Sequence, residues 1–500
     1  MNNHKNEVTD IALKVRQFYE QKTPFRIYHG STNSTRQSKY RRDELVDTSK
    51  LSRVLKVDVN SKTALVEPNV PMDRLVETTL QYGLIPPVVM EFPGITVGGG
   101  FAGTSGESSS FRYGLFENTI NWIEMILANG EVVTASPQEN SDLFHASASS
   151  FGTLGVTTLL EVQLIEAKTY VELTYRPVSS MAEAMQVMEK AVNDSSIDYL
   201  DGILFARDCG VICTGCLTNN PQSGIPTQCF THRKDPWFYL HAKEKISAGP
   251  SVEAIPLVDY LFRYDRGAFW GGMYAFKYFM MPFNYVTRRA LDRYMHTRVM
   301  YHALHKSGIA ERYIVQDVGV PFPVANEFLE FLHDGFAFYP LWLCPVRMRG
   351  PTQRYSLLAD RGKDAPDMLL NFGIWGPGPR QWDKFVDVNR TLEQKVQELN
   401  GMKCLYAHAY YTEDEFWSIY NRKEYEAVRA KYSARHLPTV YDKVKVEKVL
   451  AKESWIGWLL AIFWSIWPLS GIYGVVHARF GGDYLLPRAT SWKIQCKLKE

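Results

Sequence analysis

Seven glycines fall between Gly94 and Gly114, at 94, 98, 99, 100, 103, 106 and 114. Glycine loses more backbone freedom on ordering than any other residue, so a run this rich in it favours neither a long helix nor a strand. It does let the backbone approach a ligand closely, with successive N–H groups aimed at an anion such as a pyrophosphate. Thr96, Thr104, Ser105, Ser108, Ser109 and Ser110 add hydroxyl donors. Ile95, Val97 and Phe101 interrupt the run, and flexible linkers rarely carry such residues. No lysine stands at P-loop spacing and no strand–GxGxxG–helix unit surrounds the glycines, which excludes a Walker or Rossmann site. Residues 92–114 therefore read as a loop that cradles a ligand.

The flanking segments mix strands and helices without a regular βαβ rhythm, which favours an α+β fold. Apolar residues spaced along 7–22 predict an amphipathic helix. Alternation over Leu55–Val59 and Thr63–Glu67 predicts two strands, and Pro71 opens a helix that stops at Gly83. Asn129-Gly130 predicts a hairpin joining 122–128 to 131–134. A strand over 157–165 closes this region. Beyond it come a helix over 181–192, strands over 200–218, a Pro/Gly-punctuated connection over 221–256, and strands such as 336–344 alternating with helices such as 382–399. A polypeptide of 500 residues exceeds what one core supports, so at least two domains are expected. Their bounds are 1–168 for a ligand-binding domain, 169–400 for a second α+β substrate domain, and 401–450 for a return to the first.

Charge and cysteine usage exclude several classes. Lys+Arg 56 against Asp+Glu 54 leaves a net charge of +2, which gives no global case for a nucleic-acid partner. Seven scattered cysteines form no disulfide framework and fit a reducing compartment. Period-two alternation puts Cys213 and Cys216 on opposite faces of one strand, and no metal site is expected. Glu7, Asp10 and Glu20 break any apolar core near the start, so no cleaved signal peptide is visible.

The segment 454–476 differs from the rest: it carries no charge and holds Trp455, Trp458, Trp464, Trp467 and Tyr473. Its length suffices to cross a bilayer core, which takes about 20 helical residues, although Pro468 and Gly471 would kink it. Lys443, Lys445, Lys448 and Lys452 before it place the body in the cytosol. A second basic cluster in the tail 477–500 fits a hairpin returning to the same side equally well.

Two further loops share the character of the first. Arg26-Ile-Tyr-His-Gly-Ser-Thr-Asn33 combines a cation with small donors, and Phe151-Gly-Thr-Leu-Gly-Val156 leads into a strand. In order and spacing, RIYHGSTN, TVGGGFAGTSGESSSFRYGLF and ENSDLFHASASSFGTLGV resemble the FAD-binding (PCMH-type) domain of the vanillyl-alcohol-oxidase family. FYPLWLCPVRM, LLNFGIWGPG, CLYAHAYYTEDEFW and LPTVYDKV narrow the resemblance to its delta(24)-sterol reductase branch, from about residue 8 to 445. The late apolar segment, where animal and plant members carry an N-terminal one, resembles fungal members.

The resemblance implies FAD, held non-covalently, with NADPH as electron donor and a sterol or other lipophilic alkene as substrate. It implies attachment to membrane lipid, in the endoplasmic reticulum. It assigns cofactor contact to Arg26, Gly30, Ser31, Thr32 and Asn33 in one loop. In the glycine loop it assigns Pro93, Gly94, Thr96, Val97, Gly98, Gly99, Gly100, Phe101, Ala102, Gly103, Thr104, Ser105, Gly106, Glu107, Ser108, Ser109 and Ser110, followed by Tyr113 and Gly114. Gly152, Leu154, Gly155 and Val156 complete the set. His29 stands where covalent relatives bond the flavin, but at an unusual offset from Arg26, which favours a structural or pyrophosphate-side role.

An isolated trisubstituted alkene gives a hydride little reason to attack, so the implied reduction needs a proton donor and a dry aromatic chamber. Candidate donors are Tyr406, His408, Tyr410, Tyr411 and Glu415, with Glu107 a further candidate. The aromatic stretch 269–283 is expected to line the substrate chamber, as a mouth resting on the membrane where the substrate dissolves, or simply to fill a core. An FAD-linked oxidase of a lipid or secondary metabolite, and a non-catalytic membrane scaffold, are the alternative readings. Nothing in the sequence fixes the oligomeric state.

Overall fold

A computed structural model describes residues 2–29, 42–336, 339–348, 366–446 and 466–481. Two antiparallel sheets organise it. The first runs Val54–Asp58, Thr63–Val66, Gly155–Gln163, Ile120–Leu127, Val132–Ala135 in spatial order. Its last two strands form the hairpin at Asn129-Gly130, where Gly130 takes φ +87° as that turn demands. The helix Asn2–Glu20 closes one face, burying Val8, Ile11, Val15 and Phe18 at helical spacing. His4 pins its start by bridging Glu67 (2.9 Å) and Glu124 (3.1 Å).

The second sheet has eight strands. Ser251–Pro256, Tyr170–Val178, Cys209–Thr218 and Tyr199–Ala206 make one half; Leu341–Arg347, Met368–Pro377, Tyr313–Pro321 and Met402–Lys403 make the other. Helices Met181–Val192, Ala325–Gly335 and Trp382–Glu398 pack on one face through Met188, Phe328 and Leu392. After residue 403 the polypeptide returns to the first sheet's side, where Tyr425 donates to Thr153 (2.7 Å) and Tyr432 to Asp142 (2.7 Å). Antiparallel sheets with helices at their faces are the α+β arrangement expected.

Two expectations need correction. Residues 92–114 are not loop throughout: Val97–Gly103 and Ser110–Tyr113 are helical. Thr96 caps the first by accepting from the Gly99 N–H (3.1 Å), and burial of Val97 and Phe101 overrides the low helix propensity of glycine. The connection 221–256 contains a helix, Phe238–Ala248, and a strand, Ser251–Pro256. Its helix is held by aromatic packing of Phe238 on Phe230 and Tyr264, which periodicity does not reveal.

The segment 454–476 is described only in part. Residues 454–465 lie outside the described residues. The rest enters a helix, Leu469–Phe480. It packs against the helix Thr297–Ser307. Among the described residues no helix is long and apolar enough to cross a membrane.

Candidate functional site

The two sheets enclose one cavity of about 610 Å³, within the range typical of ligand sites. One end is made of backbone. Gly94, Thr96, Gly98, Gly99, Ala102 and Gly103 line it, and Thr104, Ser105 and Gly106 continue the wall. Gly152, Gly155 and Val156 face it from the third loop, and Arg26 from the first. Gly30, Ser31, Thr32 and Asn33 lie outside the described residues.

The glycines divide by what a side chain would meet. A Cβ on Gly99 would touch only the Thr96 hydroxyl (3.0 Å), and one on Gly103 nothing closer than 4.0 Å. Both positions otherwise open into the cavity. A Cβ on Gly100 would strike Met90 at 2.3 Å, and one on Gly114 the Asn118 amide at 2.1 Å, so these glycines serve packing. Val97, Phe101 and Leu154 are core residues. Pro93 lends its carbonyl to Arg298 (3.2 Å), and Tyr113, half-buried, packs against the core; neither lines the cavity.

Glu107 also lies behind the wall. Its carboxylate accepts from the Ser108 hydroxyl (2.7 Å) and the Ser109 N–H (2.8 Å), and Ser110 Oγ accepts from the Glu107 N–H (2.9 Å). The Ser108 carbonyl takes the Leu200 N–H (2.7 Å), docking the loop on the second sheet. Glu107 thus fixes the loop and does not face a substrate.

Several features fit FAD at this end. Thr104 sits in left-handed backbone (φ +49°, ψ +53°), an uncommon state for a β-branched residue, and its buried hydroxyl has no protein partner. Arg26 and Lys443 supply positive charge, the latter from the returning helix Val440–Val444. Burial and the nearby Lys443 lower the pKa of His29, so its ring stays neutral at the cavity wall. From the sequence Lys443 stands out only as a cation preceding the apolar segment; which residue of the returning stretch meets the cavity is decided by tertiary packing.

The other end is made of side chains. Phe269 stacks on Tyr264 at 3.8 Å between ring centroids and meets Trp375 at 4.4 Å; Trp342 stacks on Trp375 at 6.1 Å. Ala268 and Phe269 both take positive φ (47° and 58°), so strained backbone holds the Phe269 ring on the wall. The aromatic stretch 269–283 divides in two. In the helix Gly271–Tyr278, Tyr274, Ala275 and Tyr278 face the cavity at helical spacing, while Phe276 and Phe283 pack on Trp237. Behind Trp342, the fully buried pair Arg263–Asp201 (2.8 Å) anchors the chamber. Asp201 also accepts from Tyr264 (2.9 Å) and the Trp342 indole (3.1 Å).

Of the five candidate proton donors, only Tyr406 reaches the cavity. Its hydroxyl donates to Asp317 at 2.5 Å. Asp317 itself lines the cavity and accepts from Asn371 (3.0 Å), and burial pushes its carboxyl up to about 6. Burial together with the Asp317 charge pushes the Tyr406 phenol well above its usual range. His408 turns its carbonyl to Lys403 and Gln316, and Tyr410 packs on Phe385. Tyr411 is a core residue. Glu415 closes a capping box with Thr412 and pairs with Arg390 (2.8 Å), with its pKa lowered despite burial by hydrogen bonds from Thr412 and Arg390. Asp317 was missed. The signal available was a lone carboxylate inside the apolar strand Tyr313–Pro321.

Cys213 is buried and Cys216 half-buried on the strand Cys209–Thr218, as alternation predicts. Among the described residues the one cluster with metal-ligand geometry is His232, Asp235 and Asp259, away from the cavity.

Comparison with known proteins places this geometry. Residues 6–136 match the family model described as "FAD binding domain". The protein is 30% identical over 458 residues to the human Delta(24)-sterol reductase, covering 88% of this sequence and 86% of that protein. The rat Delta(24)-sterol reductase is 31% identical over 461 residues, with the same coverage. The Arabidopsis thaliana Delta(24)-sterol reductase is 30% identical over 445 residues, covering 82% of this sequence and 78% of that protein.

Proposed function

The protein belongs to the delta(24)-sterol reductase family, and from that membership and the two-ended cavity we propose that it reduces a carbon–carbon double bond in the aliphatic tail of a sterol with FAD and NADPH. The observation that carries the reading is one continuous cavity joining a glycine cradle to an aromatic chamber with a buried Asp317–Tyr406 pair on its wall. Bound FAD, once reduced by NADPH, supplies the hydride. Every other task falls to the protein.

The aromatic wall excludes water and takes the apolar substrate, whose burial at about 25 cal/mol per Å² supplies binding energy. It also faces the cationic character that develops when the alkene is protonated. Asp317, raised to about 6 by burial, holds a proton when the pH lies below that value and in a shrinking fraction of molecules above it. In that state its O–H donates to the Tyr406 oxygen, and the Tyr406 hydroxyl turns to the alkene. As the new C–H bond forms at the less substituted carbon, the Tyr406 O–H bond breaks and the Asp317 proton replaces it. The carboxylate left behind balances the electron-deficient tertiary carbon, which takes the hydride and its electron pair, so the one negative charge brought by the hydride ends on Asp317. Such a donor typically contributes about 10²–10⁴ in rate.

Anaerobic single-turnover experiments with Asp317→Asn and Tyr406→Phe test the assignment. Flavin reduction by NADPH stays within about twofold of wild type, while alkene reduction, followed by mass spectrometry, drops by about 10²–10⁴. Wild-type alkene reduction in both variants would remove the pair from the mechanism. Rapid flavin reoxidation by oxygen, with no reduced sterol formed from a panel of unsaturated sterols, would instead favour an oxidase.

A further inference from the structure

The helix Leu469–Phe480 is built inside out. Its inward face carries small residues: Ser470, Gly471, Gly474 and Ala478 are buried. Gly471 lies tight against Tyr278 and Phe279, and Gly474 against the Ala303 carbonyl, so no larger residue fits there. Its large apolar residues, Ile472, Tyr473, Val476 and Phe480, point outward, with Phe480 85% exposed. A surface helix ordinarily does the reverse.

The neighbouring segment behaves alike. Met280 is 76% exposed and Val286 71%, and the helix Tyr285–Leu291 has no buried residue. The two segments form one surface, joined by the Trp467 indole donating to the Tyr278 carbonyl (2.6 Å) and by Tyr278 with Ser470 (3.2 Å). Among the described residues, ten of the fifteen large exposed apolar side chains lie in 280–286 and 466–480, so the exposure is concentrated and not scattered.

Charge selects the occupant. Lys277, Arg289, Arg293 and Arg479 are exposed around this face. The one carboxylate within 271–293 or 466–481, Asp292, is buried and paired with Arg266 (2.7 Å). Large apolar residues ringed by four exposed cations, with Glu244 beside Arg288 as an exposed carboxylate from a neighbouring helix, match the interfacial layer of a bilayer carrying anionic headgroups. A second copy of this face would bring like charges together. The cavity meets the same surface, because Tyr278, Phe279, Gly471 and Val475 are also part of its wall.

We propose that the face formed by 280–291 and 469–480 docks onto an anionic lipid bilayer, with the aromatic end of the cavity opening beneath it to exchange a lipophilic substrate with the membrane. Docking does not depend on the reduction proposed above; only the identity of what crosses rests on that reading.

Hydrogen exchange of the full-length protein, with and without phosphatidylcholine vesicles containing phosphatidylserine, tests the surface. Amides in 280–291 and 469–480 slow by tenfold or more when vesicles are added, and less with phosphatidylcholine alone. Met280→Glu/Val286→Glu abolishes the slowing at 280–291. It also lowers turnover of vesicle-borne substrate at least tenfold, while turnover of cyclodextrin-delivered substrate stays within twofold. Protein that binds vesicles with both segments unchanged would overturn the proposal. So would slowing that tracks protein concentration without vesicles, which marks contact between copies. If neither delivery gives turnover but the segments still slow on vesicles, docking stands and the sterol reading fails.

Discussion

The two ends of the cavity are built from different materials. At the glycine end the wall is backbone, and Gly99 and Gly103 leave open space where side chains would stand. At the aromatic end the wall is side chains, backed by a buried ion pair and strained at Ala268 and Phe269. A backbone wall costs little stability to alter but tolerates no bulk, since any added atom displaces ligand. A side-chain wall is part of the core, so altering it lowers folding stability as well as function.

Gly99→Leu breaks the comparison most directly. The variant should fold, because a Cβ there meets only the Thr96 hydroxyl and the position opens into the cavity, yet purify without flavin colour and without activity. Absorbance and circular dichroism together check this; a yellow protein would show that the cradle lies elsewhere. At the opposite end, Asp201→Ala strands the buried Arg263 guanidinium and withdraws the partner of Tyr264 and Trp342. Denaturant titration should register a loss of about 3–5 kcal/mol. A loss under about 1 kcal/mol would mean the chamber does not depend on this anchor.

Acidity separates the ends next. Burial disfavours the Asp317 charge and pushes its carboxyl up to about 6, and the proposed proton transfer uses the protonated form. Alkene reduction should therefore level off below about pH 6 and fall about tenfold for each pH unit above it, while flavin reduction by NADPH does not follow that slope. Asp317→Asn removes the slope.

His4, which does not line the cavity, gives the smallest effect and a control. Hydrogen bonds to Glu124 and Glu67 raise its pKa to about 9. Its contribution is thus complete below its ordinary value of about 6.5 and lost as pH rises through about 9. His4→Gln should cost about 1–2 kcal/mol at pH 7. Its difference from wild type in thermal midpoint shrinks towards pH 9.5, with flavin content unchanged.

Local patterns were legible without coordinates. Alternating and helical periodicities marked the helix Met181–Val192 and the strand pair at Asn129-Gly130, because neighbouring residues alone fix those turns and faces. The glycine cradle could be read for the same reason: its residues are contiguous, and their chemistry is that of the backbone itself. Yet the helix Val97–Gly103 was hidden, since it exists only where the core takes up Val97 and Phe101.

What the amino-acid order determined, then, is the cofactor end and the mixed architecture around it. Tertiary structure alone decided which aromatic rings and which acid share a chamber. Phe269, Asp317, Trp342, Trp375 and Tyr406 come from separate strands and turns, and no spacing relates them. It also decided that Tyr406 and not Glu415 meets the cavity, by placing Glu415 in a helix cap. The reason is physical. Backbone geometry is written by adjacent residues, whereas a buried carboxylate acquires its raised pKa and its partner only when distant segments have shut out the water.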